Sequence, residues 1–200
     1  AFMHEVQKVY IAPNKQFDTK KLNELKQVLH KSKKPVLVFG NGVRVSNTVD
    51  KLRRFLDKTG IPAMSGPHSA VDAVNSDYPY YAGRFGLLGQ YTSNHLIQES
   101  DLIISLGSRL NPKMIGYDSS KFAPSATKFL VDVDSNEMKK LNFDNKIEWE
   151  IDLQTFFDLI ETETFDIDIS DWQTYVTLQR QKETLVLEKH RNLTDYVSSY

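Results

Sequence analysis

The residues of this chain best suited to chemistry mostly follow short apolar runs. Arg109 follows Leu102–Leu106, within Gly107-Ser108-Arg109. An arginine at a strand's carboxyl end can hold a diphosphate through charge-assisted hydrogen bonds, or it can enter a surface or interdomain ion pair. Arg84, between Gly83 and Gly86, carries the same two readings. Asp132 closes another apolar run, where it could accept from a ribose hydroxyl, whereas Asp134 reads as the cap of the helix behind it. Gly40 and Gly42 match the first two glycines of a G-x-G-x-x-G dinucleotide fingerprint, but Val45 stands at the third. No acidic residue closes the next strand, at Ala63-Met64-Ser65, so the nicotinamide reading fails at two checkpoints. Gly40-Asn41-Gly42 reads equally as a tight strand-to-helix turn.

Other chemistries find less support. The chain has no G-x-x-x-x-G-K-[ST] phosphate loop and no H-E-x-x-H. His4, His30, His68, His95 and His190 show no metal-ligand spacing. Ser65 precedes Gly66 but lacks the G-x-S-x-G elbow of a hydrolase. The Tyr78–Tyr81 aromatics have no basic patch beside them, so they read as loop packing and not as a base-stacking surface.

Composition points the same way. The 200 residues include 26 acidic and 25 basic side chains, a formal net charge of −1, which offers no field to nucleic acid or an anionic membrane. The absence of cysteine excludes disulfides, thiolate metal sites and a cysteine nucleophile. No apolar run approaches the roughly 18 residues of a membrane span. Ala1-Phe2-Met3-His4-Glu5 lacks the basic flank and apolar stretch of a signal peptide. The expectation is a soluble, cytoplasmic domain with an abrupt start.

The elements that must position these residues can be read from the apolar pattern. Residues 1–16 read as extended and loop-like. Asp18 is a plausible N-cap for a helix carrying Leu22, Leu25, Val28 and Leu29 on one stripe. Val36–Phe39 is a buried strand. Asn47 with Asp50 looks like a capping pair for a helix faced by Val49, Leu52, Phe55 and Leu56 and ended by Gly60. Ile61–Met64 is a second strand, residues 75–90 are loop-like, and a helix covers about 91–99. Leu102–Leu106 is the strongest strand, 111–126 is irregular, and Phe129–Val133 is another buried strand, followed by a helix from Ser135. Lys146–Ile151 reads as an edge strand, and Leu153, Phe156, Phe157 and Ile160 mark a closing helix. Short apolar strands alternating with amphipathic helices predict an α/β fold: a doubly wound parallel sheet that binds ligands at its strands' carboxyl ends. The polar helix beyond residue 161, with Trp172 and Tyr175, docks on something outside the domain or packs back onto it.

Taken in order, these residues resemble a known family. Lys34-Pro35-Val36-Leu37-Val38-Phe39-Gly40-Asn41-Gly42 looks like the opening of the central domain of thiamine diphosphate-dependent enzymes of the acetolactate synthase type. The likeness continues through Tyr81-Ala82-Gly83-Arg84-Phe85-Gly86 and Ser100–Leu110 to Phe129–Asp134, and covers roughly residues 18–160. It implies a six-stranded parallel sheet of the nicotinamide- and flavin-binding type. It also implies a parent with a pyrimidine-binding domain before this one and a diphosphate-binding domain after it. Members of that family decarboxylate a 2-keto acid, typically pyruvate, and can join the product to a second carbonyl compound. In acetolactate synthases the central domain holds FAD, which does no redox work; related decarboxylases leave the site empty or hold another nucleotide.

Carried over by position, the implied flavin contacts are Gly40, Asn41 and Gly42, then Met64 and Ser65, then Gly83, Arg84 and Phe85. Gly107, Ser108 and Arg109 match the glycine-x-arginine motif. Asn111 and Lys113 fall where flavin-binding members carry an aspartate and an arginine. Asp132 and Val133 match the last strand, and Asp152 a terminal aspartate. Three departures fall at flavin positions: Asn41 for the middle of three glycines, Leu110-Asn111-Pro112-Lys113 for phenylalanine-aspartate-aspartate-arginine, and Ile151 for a glycine.

The activating glutamate and the magnesium-binding glycine-aspartate-glycine belong to the flanking domains, and no Gly-Asp-Gly occurs here. The resemblance therefore implies an excised, inactive central domain, with no catalytic or metal-binding residue of its own. Residues 1–16 would be an interdomain linker, 17–165 the nucleotide-binding-like domain, and 166–200 a linker helix toward the diphosphate-binding domain. Thiamine diphosphate and Mg2+ would be bound by the absent domains of a homo-oligomeric parent, dimer or tetramer. A stand-alone nicotinamide or adenine nucleotide module, or an empty structural interface domain, are the alternatives.

Overall fold

The computed structural model describes residues 18–182; the expected linker at 1–16 and the tail beyond 182 lie outside them. The first helix, α1 (Thr19–Lys31), begins where expected: the Asp18 carboxylate accepts from the Lys21 amide at 3.1 Å, and Leu22, Leu25 and Leu29 are buried. Six strands follow: β1 (Pro35–Phe39), β2 (Ala63–Ser65), β3 (Tyr81–Arg84), β4 (Leu102–Leu106), β5 (Thr127–Asp132) and β6 (Lys146–Glu150). All pair in parallel, in the order β3-β2-β1-β4-β5-β6. The order reverses between β1 and β4, the switch point of a doubly wound sheet.

Every residue of β1, β2 and β4 is buried, as a parallel sheet covered on both faces requires. The covering helices are α2 (Gly42–Val45), α3 (Val49–Thr59), α4 (Tyr91–Glu99), α5 (Pro112–Ile115), α6 (Ser135–Lys139) and α7 (Leu153–Glu161). Gly60 ends α3 in the left-handed conformation (φ 65°), and Asp134 caps α6 by accepting from the Asn136 amide at 2.9 Å. Trp149 meets Phe129 and Phe156 edge-on, tying β6 and α7 into the core.

Four expectations need correction. Asn47 does not cap α3: it stands at φ 55°, and Thr48 is the N-cap, its hydroxyl turned to the Val43 carbonyl. The loop-like stretch 75–90 contains β3; only four residues long and rich in small groups, it leaves no periodic signal. The irregular stretch 111–126 contains α5 and a 3-10 turn at Ser119–Lys121. Val133 lies beyond the end of β5.

Of the two readings of the tail, Ser170–Lys182 takes the second. This helix, α8, packs back beside α4 and β3, with Trp172 and Val176 buried. Trp172 Nε1 donates to the Pro35 carbonyl at 3.0 Å, Gln173 to the Gly60 carbonyl at 2.9 Å, and Arg180 to the Ser76 carbonyl at 2.8 Å.

Candidate functional site

The carboxyl ends of β1 and β4 bring two expected segments into direct contact. Gly42 donates its amide to the Gly107 carbonyl at 3.0 Å. A Cβ on Gly42 would stand 2.6 Å from Gly107 Cα, and one on Gly40 would stand 2.5 Å from Ser108 Cα. Gly107 itself sits at φ 55°. Close loop packing thus already requires these glycines.

The loop amides are occupied internally. Gly40 donates to Leu106, Val43 to Gly40, and Arg44 and Val45 both to Asn41. A dinucleotide's diphosphate is ordinarily cradled by such amides at the start of a helix. Here α2 is a single turn and its own donors are engaged, so side chains can supply the grip on an anion that this helix start does not.

Two side chains can do so. Arg109 is 77% exposed, with only a 3.9 Å approach to Glu137. Lys113 is exposed on α5, while the Asn111 carboxamide caps that helix by accepting from the Lys113 amide at 3.0 Å. Two carboxylates face the same end. Asp132 accepts from the Asp134 amide at 3.1 Å, and burial pushes its pKa up. Asp152 caps α7 through one oxygen, accepting from the Thr155 amide at 2.9 Å; its other oxygen is buried with no partner. An ionised carboxylate only accepts, so both groups are of the type that holds hydroxyl donors. Arg109, Lys113 and these carboxylates are the donor and acceptor types that a diphosphate and ribose hydroxyls require.

The remaining expected contacts divide between exposed, buried and distant positions. Asn41 is exposed at the loop tip, and Val133 is 45% exposed just past β5. Met64 and Ser65 are wholly buried on β2, and the Ser65 hydroxyl has no partner. The Phe85 side chain is in the core, stacked on Phe122. Gly83 and Arg84 are on edge strand β3, three strand spacings from β4, or about 14 Å.

Gln90 and Ser93, unremarked in the sequence, close the outer edge of β3. The Gln90 side chain accepts from the Arg84 amide at 2.9 Å, and the Ser93 hydroxyl donates to the Ala82 carbonyl at 2.7 Å. Beside them lies a groove of about 990 Å³, where Arg84 and Arg180 flank Tyr81. Burial raises the Tyr81 pKa, and both guanidinium charges oppose that shift. Among the described residues no group of three acidic or histidine side chains converges on a metal position, and no helix is long and apolar enough to cross a membrane.

The chain matches the model of the family described as thiamine pyrophosphate enzyme, central domain, over residues 22–157. It is 38% identical over 125 residues to the acetolactate synthase isozyme 2 large subunit of Escherichia coli, covering 62% of this chain and 22% of that protein. It is 30% identical over 168 residues to the acetolactate synthase large subunit of Lactococcus lactis, covering 84% of this chain and 29% of that protein. A shorter match, 31% over 83 residues, reaches a 3D-(3,5/4)-trihydroxycyclohexane-1,2-dione hydrolase of Bacillus thuringiensis, covering 42% of this chain and 13% of that protein. The chain thus spans less than a third of these relatives' own lengths.

Proposed function

The chain belongs to the central-domain family of thiamine pyrophosphate enzymes, and we propose on that premise that it is the non-catalytic central domain of an acetolactate synthase-like enzyme. The parent would decarboxylate a 2-keto acid such as pyruvate and ligate the product to an acceptor. Thiamine diphosphate and Mg2+ would be held by the flanking domains. Those domains, a homo-oligomeric parent and a cytoplasmic setting belong to the same proposal and rest on the family alone.

Within this domain we propose an adenine dinucleotide of the FAD class across the switch point. One observation carries that reading. Asp132 and Asp152 stand at the carboxyl ends of β5 and β6, and Asp152 keeps one buried oxygen unpartnered. An unpartnered buried acceptor is costly unless something donates to it. Asp132 and Asp152 would accept from hydroxyls, while Arg109 and Lys113 would face the diphosphate. Asn41, Ser108 and Val133 would border the ligand, and Gly83–Phe85 would meet its far end. Met64 and Ser65 would contribute backbone alone.

The test is a visible spectrum of the purified chain, joined to a thermal-shift series with FAD, ADP, NAD and NADP. FAD is expected to raise the melting temperature more than NAD or NADP. At a hundredfold excess over Kd the stabilisation is about 2.7 kcal/mol. No shift with FAD or ADP at millimolar ligand would sink the nucleotide reading.

A further inference from the structure

Six arginines fall among the described residues. Four of them meet carboxylates: Arg44 meets Asp72, Arg53 meets Asp50, Arg54 meets Glu161 and Arg109 meets Glu137. Arg84 and Arg180 meet none among those residues, and both line one groove, between β3 and the last turns of α8. The only acidic side chain lining that groove is Asp77, and neither guanidinium pairs with it. Two unneutralised guanidiniums in one groove leave a local charge that an anion can satisfy.

Arg180 is held in place before any ligand arrives. Its Nη2 donates to the Ser76 carbonyl at 2.8 Å, and its guanidinium carbon stands 5.6 Å from the Tyr81 ring centroid. A guanidinium has five N–H donors, so most of its hydrogen-bonding capacity remains. Arg180 is half-buried, and burial pushes its pKa down, so an anion beside it would offset the cost of a charge withdrawn from water. Arg84 is exposed at the end of β3, and its charge reaches the same Tyr81 phenol. Gln90 adds a neutral donor: its side-chain oxygen accepts from the Arg84 amide at 2.9 Å, which leaves the carboxamide NH2 to donate. Val71, Tyr78 and Pro79 supply an apolar wall, the Tyr78 hydroxyl being spent on Asp57. At about 990 Å³ the groove has room for far more than a single ion.

We propose that this groove binds a small phosphate monoester, with its dianionic head between Arg84 and Arg180 and its apolar body against Val71 and Pro79. A phosphate monoester carries about two negative charges near neutral pH and three acceptor oxygens, which matches two guanidiniums. A monocarboxylate would leave one of them unpaired. The site lies at the edge strand, three strand spacings or about 14 Å from β4, and it stands whether or not a flavin occupies the switch point.

Calorimetric titration of the 200-residue chain with phenyl phosphate, inorganic phosphate and benzoate, at about 0.15 M ionic strength, tests the proposal. Phenyl phosphate is expected to bind at one site with a Kd of about 1 mM or tighter, and the other two probes about tenfold more weakly or worse. Arg84→Gln removes one charge, and Arg180→Lys keeps the charge but loses the planar fork; each is expected to weaken phenyl phosphate by about tenfold. Circular dichroism checks that the variants fold, and if Arg180→Lys does not, Arg84→Gln at its exposed position decides alone. No saturable binding of phenyl phosphate up to about 10 mM overturns the proposal. So does equal affinity for inorganic phosphate, which would reduce the groove to a charged patch, or for benzoate, which needs no dianion site. Unchanged binding in Arg84→Gln overturns it too, and a loss confined to Arg109→Ala would move the phosphate to the switch point.

Discussion

At the scale of single residues, the candidate site draws on side chains because the amides at the start of α2 are already engaged. Arg109 carries the most exposed guanidinium beside the switch point, so Arg109→Ala is expected to weaken FAD binding by about tenfold or more. Calorimetric titration checks this, and an unchanged affinity would show that the diphosphate lies elsewhere. Lys128 illustrates a residue whose environment is set by burial. Its ammonium donates to the Ala123 carbonyl at 2.6 Å and stands 5.2 Å from the Phe143 ring centroid. Burial pushes its pKa down, against the opposing pull of Asp144. Between that lowered value and the ordinary lysine value of 10.5, the unfolded chain binds more protons than the folded one. Stability from this group therefore rises with pH across that window and is lost as pH falls through the folded value. Urea unfolding at several alkaline pH values should show wild type gaining on Lys128→Met as pH approaches 10.5. Parallel pH curves would contradict the assignment.

At the scale of elements, legibility followed the length and regularity of each apolar pattern. β1 and β4 are unbroken apolar runs ended by glycine, and α1 and α7 carry clear stripes, so their sequences foretell them. β3 did not announce itself, because its register on β2 is irregular and its outer edge is satisfied by Gln90 and Ser93, not by another strand. Lys128 was hidden for a related reason: it begins an apolar strand, and the carbonyl that pairs it sits in a loop. The site's glycines were found by their spacing, but that they pack loop against loop could not be read without β1 and β4 side by side. Gly40→Ala is accordingly expected to destabilise the domain by about 1–3 kcal/mol, through overpacking against Gly107 and Ser108. α8 is the other element whose placement only tertiary contact decides. Its stripe is weak, yet Trp172 is buried and bonded to the Pro35 carbonyl at the start of β1. Trp172→Ala should cost about 3–5 kcal/mol in equilibrium urea unfolding. A loss below roughly 1 kcal/mol would mean that α8 contributes little to the isolated domain.

At the scale of the whole molecule, one sheet divides the structure into two unlike ends. The amino ends of the strands are covered in part by α8, whose tryptophan is anchored on β1. The carboxyl ends gather the glycine turns, the carboxylates, Arg109 and nearly all the exposed apolar side chains. The family's reaction draws on a glutamate and a metal-binding motif expected outside this chain. Turnover of pyruvate by the purified 200-residue chain, with thiamine diphosphate and Mg2+ and with acetolactate as the readout, tests this account most directly. The account predicts no acetolactate above the enzyme-free background, under conditions where the full parent polypeptide forms it. Acetolactate formed by the chain alone, in proportion to its concentration, would contradict it.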